Sequence, residues 1–376
     1  MLLRPFIFYL LLLVCQALFS ANIALADSLD VQLPNDSIKL VKKTFKHKLK
    51  HALSQLDNTD SLYIEPNHYN YTAMLQNTNF YQSYSLSSPT ENGETQSLTL
   101  NPRTAFKVGP YFGWRWLFLG YTFNVGRPSQ AGKTTEFALS LYSAKVGVDY
   151  VAIRSTGDFT FLRISGFQST KTPLIRGQHF NGMASHTKKI NIYYIFNSKH
   201  FSYPAAFNQS TVQRRSAGSW KIGLRYDNQR IDFDGTQLPS SMRDELTSGL
   251  QSVKLNQTNY SVSFGYSYNW VFARNWLLAG SFSPALGYTH SKGETFTGRK
   301  LVQSLKNNLT NLDCITRIGL VYNNTRWFAG ASLIHYFYNY HQKTYAFSNS
   351  VLYANFYVGF NFIKRKKYQK HGQSIF

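Results

Sequence analysis

The sequence predicts an all-β chain: an antiparallel transmembrane β-barrel of about 12 strands, led by a short periplasmic segment that is first helical and then extended. Three observations predict it. Of 376 residues, 61 are aromatic (6 Trp, 26 Tyr and 29 Phe), while only 15% are charged. Apolar and small polar residues alternate with period two over runs of ten or more, the signature of strands with two different faces. The one apolar run long enough to notice lies at the extreme N-terminus. The same figures exclude other classes. A disordered chain would be poor in aromatics, two cysteines cannot staple a disulfide scaffold, and a helical bundle needs several apolar runs of about 20 residues.

Residues 1–26 read as a secretory signal peptide. Arg4 supplies the positive start, Phe6 to Val14 the apolar core, and Ala24-Leu25-Ala26 the small-x-small pattern, predicting cleavage after Ala26 and export to the outer membrane. Cleavage would leave 350 residues, a net charge of +21 and the single cysteine Cys314, so no intrachain disulfide can form.

Residues 27–95 read as a periplasmic N-terminal segment. Ile38, Val41, Phe45, Leu49 and Leu53 recur at helical spacing, with Lys42, Lys43, Lys46, His47, Lys48, Lys50 and His51 on the other faces. This basic amphipathic helix would cap the periplasmic mouth or lie on an anionic surface. An extended stretch, Tyr63 to Asn70, follows it.

Residues 96–363 read as the barrel. Tyr260, Val262, Phe264, Tyr266, Tyr268 and Trp270 share one face, with Asn259, Ser261, Ser263, Gly265, Ser267 and Asn269 on the other. Residues 352–362 repeat the pattern, as do Trp220/Ile222/Leu224 against Lys221/Gly223/Arg225, and Trp276/Leu278/Gly280/Phe282 against Leu277/Ala279/Ser281. Expected strands are 98–112, 115–125, 134–142, 145–154, 158–167, 188–197, 218–227, 258–270, 275–289, 311–322, 325–340 and 350–362. Their lengths suit the 9–11 residues of a tilted membrane-crossing strand. Short turns at 271–274 and 323–324 alternate with long loops at 228–257 and 290–310, the short-inside, long-outside rhythm of such barrels. The 198–217 connection breaks it, being long at the periplasmic end. Trp114, Trp116, Trp270, Trp276, Trp327, Tyr336, Tyr338 and Tyr340 cluster at strand ends, as in an interfacial girdle. Residues 364–376 form a basic tail beyond Phe362, the aromatic that closes the last strand.

Three stretches carry a resemblance: Tyr63–Gln76 (YIEPNHYNYTAMLQ), Phe106–Val125 (FKVGPYFGWRWLFLGYTFNV) and Tyr203–Trp220 (YPAAFNQSTVQRRSAGSW). Together they resemble domain-of-unknown-function family 4421 of the Bacteroidota, and the third is the most specific, a dense irregular string that barrel physics does not demand. The resemblance implies an outer-membrane-associated β-barrel of unknown function and adds no activity.

A search for chemistry finds no nucleotide loop, zinc spacing or CxxC. His47 and His51 stand at i, i+4 without the intervening Glu of a metal-binding helix, so no cofactor or metal is expected. Nothing in the sequence places a Ser beside a His with an orienting carboxylate, so no catalytic residue is assigned; a lipid-modifying enzyme is the third-ranked reading. The functional signal is charge on the inward face. Lys107, Lys145, Lys221, Arg225 and Arg317 fall there against Asp149, Asp227 and Asp313. An open lumen so lined would pass small anionic solutes, making a channel with weak anion preference the first expectation. A lumen filled by paired charges is the alternative, with a structural or surface-binding role through basic loops. Those loops are 168–187 (Lys171, Arg176, His179, His186) and 290–310 (Lys292, Arg299, Lys300, Lys306), which would meet lipopolysaccharide phosphates. The barrel-assembly machinery is the other expected partner. Nucleic acid, the usual reading of a +22 chain, is excluded by export and by the absence of any nucleic-acid motif.

Overall fold

A computed structural model describes residues 59–369, except 91, 103–104, 115–116, 122, 126–132, 296–305 and 342–345. The signal peptide, the amphipathic helix 38–56, Trp116, Arg299, Lys300 and the end of the basic tail lie outside the described residues.

Strands dominate. In chain order they are β1 (Ile64–Pro66), β2 (Tyr69–Pro89), β3 (Thr95–Pro102), β4 (Ala105–Trp114), β5 (Leu117–Gly120) and β6 (Phe123–Asn124). Next come β7 (Lys133–Tyr142), β8 (Val146–Thr156), β9 (Phe159–Ser165), β10 (His179–Phe180), β11 (Met183–Ile195) and β12 (Thr211–Gln213). The long C-terminal strands are β13 (Ala217–Asp234), β14 (Ser252–Ala273), β15 (Trp276–Thr295), β16 (Lys306–Asn323), β17 (Trp327–His341) and β18 (Ala346–Lys364).

The wall is one antiparallel ladder. From β2 it runs through β18, β17, β16, β15, β14, β13, β11 and β8 to β7, and β4, with β5 beside it, pairs the inner half of β2 on the other side. Side chains close the circle: Lys107 Nζ on β4 lies 2.8 Å from Glu136 Oε2 on β7. Tyr84 on β2 and Ser185 on β11 meet across the interior at 2.5 Å. Twelve staves make up this wall among the described residues.

Membership differs from the expectation in two places. The barrel begins at Tyr69, not at residue 96, because β2 pairs β18 from Lys364↔Tyr69 to Ala346↔Ser87. Its wall-facing Asn77, Asn79, Ser83 and Ser85 are too polar to show a hydrophobic period. Conversely, β9 leaves the wall, since β11 pairs β8 directly while β9 pairs β3 and β10. Alternation cannot tell a face buried in protein from one buried in lipid, and Phe159, Phe161 and Ile164 are of the first kind.

Burial follows the expected alternation. Trp220, Ile222 and Leu224 are 52%, 43% and 65% exposed, whereas the intervening Lys221 and Arg225 are 6% and 5% exposed. Exposed apolar residues continue through Tyr260–Phe272 on β14. Those 13 residues, at about 3.3 Å each and tilted near 40°, cover about 30 Å of height, the thickness of a bilayer core. Apolar side chains outside and polar ones inside fit a strand wall crossing lipid. Trp114, Trp220, Trp270, Trp276 and Trp327 stand exposed at the end of the short turns, forming the inner aromatic girdle. Tyr336 and Tyr338 depart from the expected girdle: they face the lumen and stack on each other with ring centroids 6.4 Å apart.

Towards the outer end the polarity inverts. On β13 the inward residues change from Lys221, Arg225 and Asp227 to Ile231 and Phe233, while Arg230 and Asp232 turn outward. Above the lipid the outside meets water, so the apolar residues turn in. They join Leu86, Leu98, Phe159, Met242 and Leu250 in a hydrophobic core roofed by residues 235–251.

Candidate functional site

The site the fold builds is its lumen. Seven of the eight residues expected to bring charge there do so. Lys107, Asp149, Lys221, Arg225, Asp227, Asp313 and Arg317 are all buried. Lys145 is not among them: it sits in the turn between β7 and β8, where its carbonyl accepts the Ile195 N–H at 2.7 Å. The expected strand 145–154 starts at Val146, and a turn residue has no fixed face.

The interior is a hydrogen-bonded polar network, in which Arg225 Nε and Nη1, Asp227 Oδ2 and Asp313 Oδ1 are buried without a partner. Arg317 Nη2 donates to Asp149 Oδ2 at 2.6 Å, and its Nη1 to the Tyr142 hydroxyl at 3.0 Å. Ser140 and Tyr142 hydroxyls donate to Asp149 Oδ1 at 2.9 and 2.7 Å. Lys221 Nζ donates to Ser281 Oγ at 2.7 Å, Arg225 Nη2 to the Ser283 carbonyl at 2.8 Å, and Asn259 Nδ2 to Asp313 Oδ2 at 2.6 Å. Desolvating such charges costs several kcal/mol each unless partners compensate. Two further charges belong here that the strand reading missed. Glu136 pairs Lys107, and Lys189 lies 3.5 Å from the centre of the Tyr338 ring. Alternation along 188–197 could have found Lys189, since it shares a face with Asn191 and Tyr193.

The long inner connection between β11 and β13 explains the anomaly in the loop rhythm. It folds up into the lumen as a plug. Its short helix, Tyr203–Phe207, is started by Ser202, whose hydroxyl accepts the Ala205 N–H at 3.2 Å, with Pro204 in the first turn. The Tyr203 ring lies 4.8 Å from Lys221 Nζ and 5.7 Å from Arg317 Cζ, each over its face. Burial pushes the Tyr203 phenol above its ordinary pKa, so it remains neutral and able to face these cations as a ring. Ala205 and Ala206 pack on Leu277, Ala279 and Val321, and Gln209 Nε2 donates to the Tyr357 hydroxyl at 2.7 Å. Gln213 locks the rest. Its Oε1 accepts from Ser202 N and Asn269 Nδ2 at 2.9 and 3.1 Å, and its Nε2 donates to the His200 carbonyl at 2.6 Å. Beneath it, β12 pairs β1, and Arg214 bridges Glu65. With the apolar core above and this plug below, two chambers of the lumen measure about 10 Å³ each.

On the lipid-facing side, His335 Nε2 and Ser350 Oγ share a hydrogen bond of 2.8 Å. A Ser–His pair is half of a nucleophilic site, but among the described residues no carboxylate or amide orients the other ring nitrogen. Among the described residues no group of three or more His, Cys, Asp or Glu could hold a metal.

The ladder, the apolar belt and the inverted interior define a class: the antiparallel transmembrane β-barrel of outer membranes. Within it, the chain belongs to the family described as "Domain of unknown function (DUF4421)", whose pattern matches residues 58–362. No curated protein matches the sequence. Among solved structures, the Escherichia coli outer-membrane protease OmpT aligns at 7% identity and a TM-score of 0.42, covering 78% of this chain and 97% of its own. The outer-membrane protein OprG of Pseudomonas aeruginosa aligns at 12% identity and a TM-score of 0.25, over 79% of this chain and 98% of its own. Ail of Yersinia pestis aligns at 13% identity and a TM-score of 0.22, over 57% of this chain and 96% of its own. Likenesses this loose say nothing about what the chain binds or transforms.

Proposed function

We propose that the protein is a closed outer-membrane barrel that works through its outer surface, by holding the phosphates of surface glycolipid, and is not a resting pore. The observation behind this is the filled lumen. The cations that would select anions in an open channel are bonded to Asp149, Ser281, Ser283 and Glu136, beneath a core and above a plug.

The outer rim supplies the surface. Arg154 on β8 is directly opposite His186 on β11, which is directly opposite Arg230 on β13. All three point outward, just above the belt of Ile190, Ile192 and Leu224, with Lys188 one step nearer the lipid. Cationic side chains directly opposite one another are destabilising. Among the described residues, Arg154, Lys188 and Arg230 have no carboxylate within ion-pair distance. An arginine fork suits a phosphate two-pronged, and a lipid phosphate sits at this height. This refines the expectation for loop 168–187: His186 belongs to the rim, while Lys171 and Arg176 lie exposed by the short helix Thr172–Ile175.

The test is co-purification of phosphorylated glycolipid with the barrel, measured for the wild type and for an Arg154→Glu/Arg230→Glu variant. Loss of bound glycolipid with the fold retained supports the reading. Equal retention by both removes the rim as its site.

A further inference from the structure

One chamber of the lumen is built for an anion. It has a volume of about 10 Å³ and is walled by Asn191, Tyr193, Tyr203, Lys221, Arg225 and Arg317. Its polar lining includes several buried donors beside the unpartnered Asn191 Oδ1. Arg225 spends one nitrogen on the Ser283 carbonyl, and its Nε and Nη1 have no partner although the residue is only 5% exposed. The Tyr193 hydroxyl is likewise buried without a partner. Lys221 spends one of its three hydrogens on Ser281.

The charge balance points the same way. Arg317 is matched by Asp149 at 2.6 Å, whereas among the described residues Lys221 and Arg225 have no carboxylate within ion-pair distance. Lys221 and Arg225 therefore face one small space with no carboxylate among the described residues bonded to either. The neighbouring chamber, on the other side of Arg225, is different. Asp149, Asp227 and Lys189 all line it, so both signs are present.

We propose that the first chamber holds one monatomic anion, chloride in the cell, accepting hydrogen bonds from Lys221, Arg225 and Tyr193. A chamber this small favours a compact anion over a larger one. A bound anion would offset the desolvation of Lys221 and Arg225 more fully than water could. Tyr203 of the plug forms part of the chamber wall, so the anion ties plug to barrel.

The experiment uses the refolded full barrel in detergent, at constant ionic strength, with gluconate exchanged for chloride. The expected result is a melting temperature that rises with chloride and saturates in the wild type, and is flat in Arg225→Gln. Should Arg225→Gln fail to fold, Lys221→Met serves as the second variant. A bromide soak of wild-type crystals gives an independent reading, with an anomalous peak expected between Lys221 Nζ and Arg225 Nε. Chloride-independent melting together with a bromide-free chamber overturns the proposal, leaving water only. The surface reading is tested separately, because glycolipid retention does not depend on the chamber.

Discussion

Arg317 and Asp149 meet at 2.6 Å across the lumen, from strands β16 and β8 that stand five places apart in the wall. Their side chains are 2% and 5% exposed, so the pair is held by hydrogen bonds in a desolvated interior. It fastens opposite sides of the barrel at the level where the plug arrives.

Removing one partner leaves an uncompensated buried charge. Asp149→Asn should therefore destabilise the barrel by about 3–5 kcal/mol, while Asp149→Leu with Arg317→Met should lose much less. Urea unfolding in detergent micelles checks both. Equal losses in the single and double variants would show that the pair is not the coupling between the two walls.

Gln213 is the plug's fastener. Gln213→Ala orphans Ser202 N–H and the His200 carbonyl, with an expected cost of about 1–3 kcal/mol for buried groups left unpaired. Because this connection is at the inner end, limited proteolysis should begin to cut between 199 and 216 in the variant and not in the wild type. Unchanged resistance would mean that the helix Tyr203–Phe207 holds the plug alone.

Gly147 lies beneath the Tyr193 ring, where any Cβ would collide with it. Tyr193 in turn packs on Tyr203 with ring centroids 5.3 Å apart. Gly147→Val should displace the Tyr193 ring and loosen the plug, shown by the same proteolysis, with the barrel's strand content intact by circular dichroism. Strand loss would assign the glycine to wall folding instead.

How much of this was legible in the sequence depends on which contacts are local. The inward–outward alternation of β13, β14 and β18 was readable because each residue's face follows from its own parity. Seven lumen charges followed from that parity. Lys145 failed because it lies in a turn, and β2 was missed because its outward residues are largely Asn and Ser. The plug was visible only as a loop of the wrong length. Its seat against Lys221 and Tyr357 depends on residues far apart in sequence, which no local period encodes. The rim of Arg154, His186 and Arg230 exists only once the register is known.

Glu245 gives a pH-dependent outcome at the outer end. It is held below its ordinary pKa by hydrogen bonding from Ser169 and then from the Gln168 N–H, the backbone contacts being 2.8 and 2.6 Å. A folded pKa that is depressed means the tie is present above the unfolded value, roughly 4.3 for a free glutamate, and is lost as pH falls through the folded value. The Gln168 and Ser169 amide resonances should therefore titrate with a midpoint below that of a free glutamate. A midpoint at or above it would contradict the contact.

Whether the lumen is shut is tested most directly by planar-bilayer conductance of the refolded protein. A silent, heat-modifiable wild-type barrel is expected, and discrete steps once residues 203–213 are replaced by a short Gly/Ser linker. Steps from the wild type at rest, with a selectivity that shifts on Lys221→Glu, would contradict it and make the lumen a water-filled path.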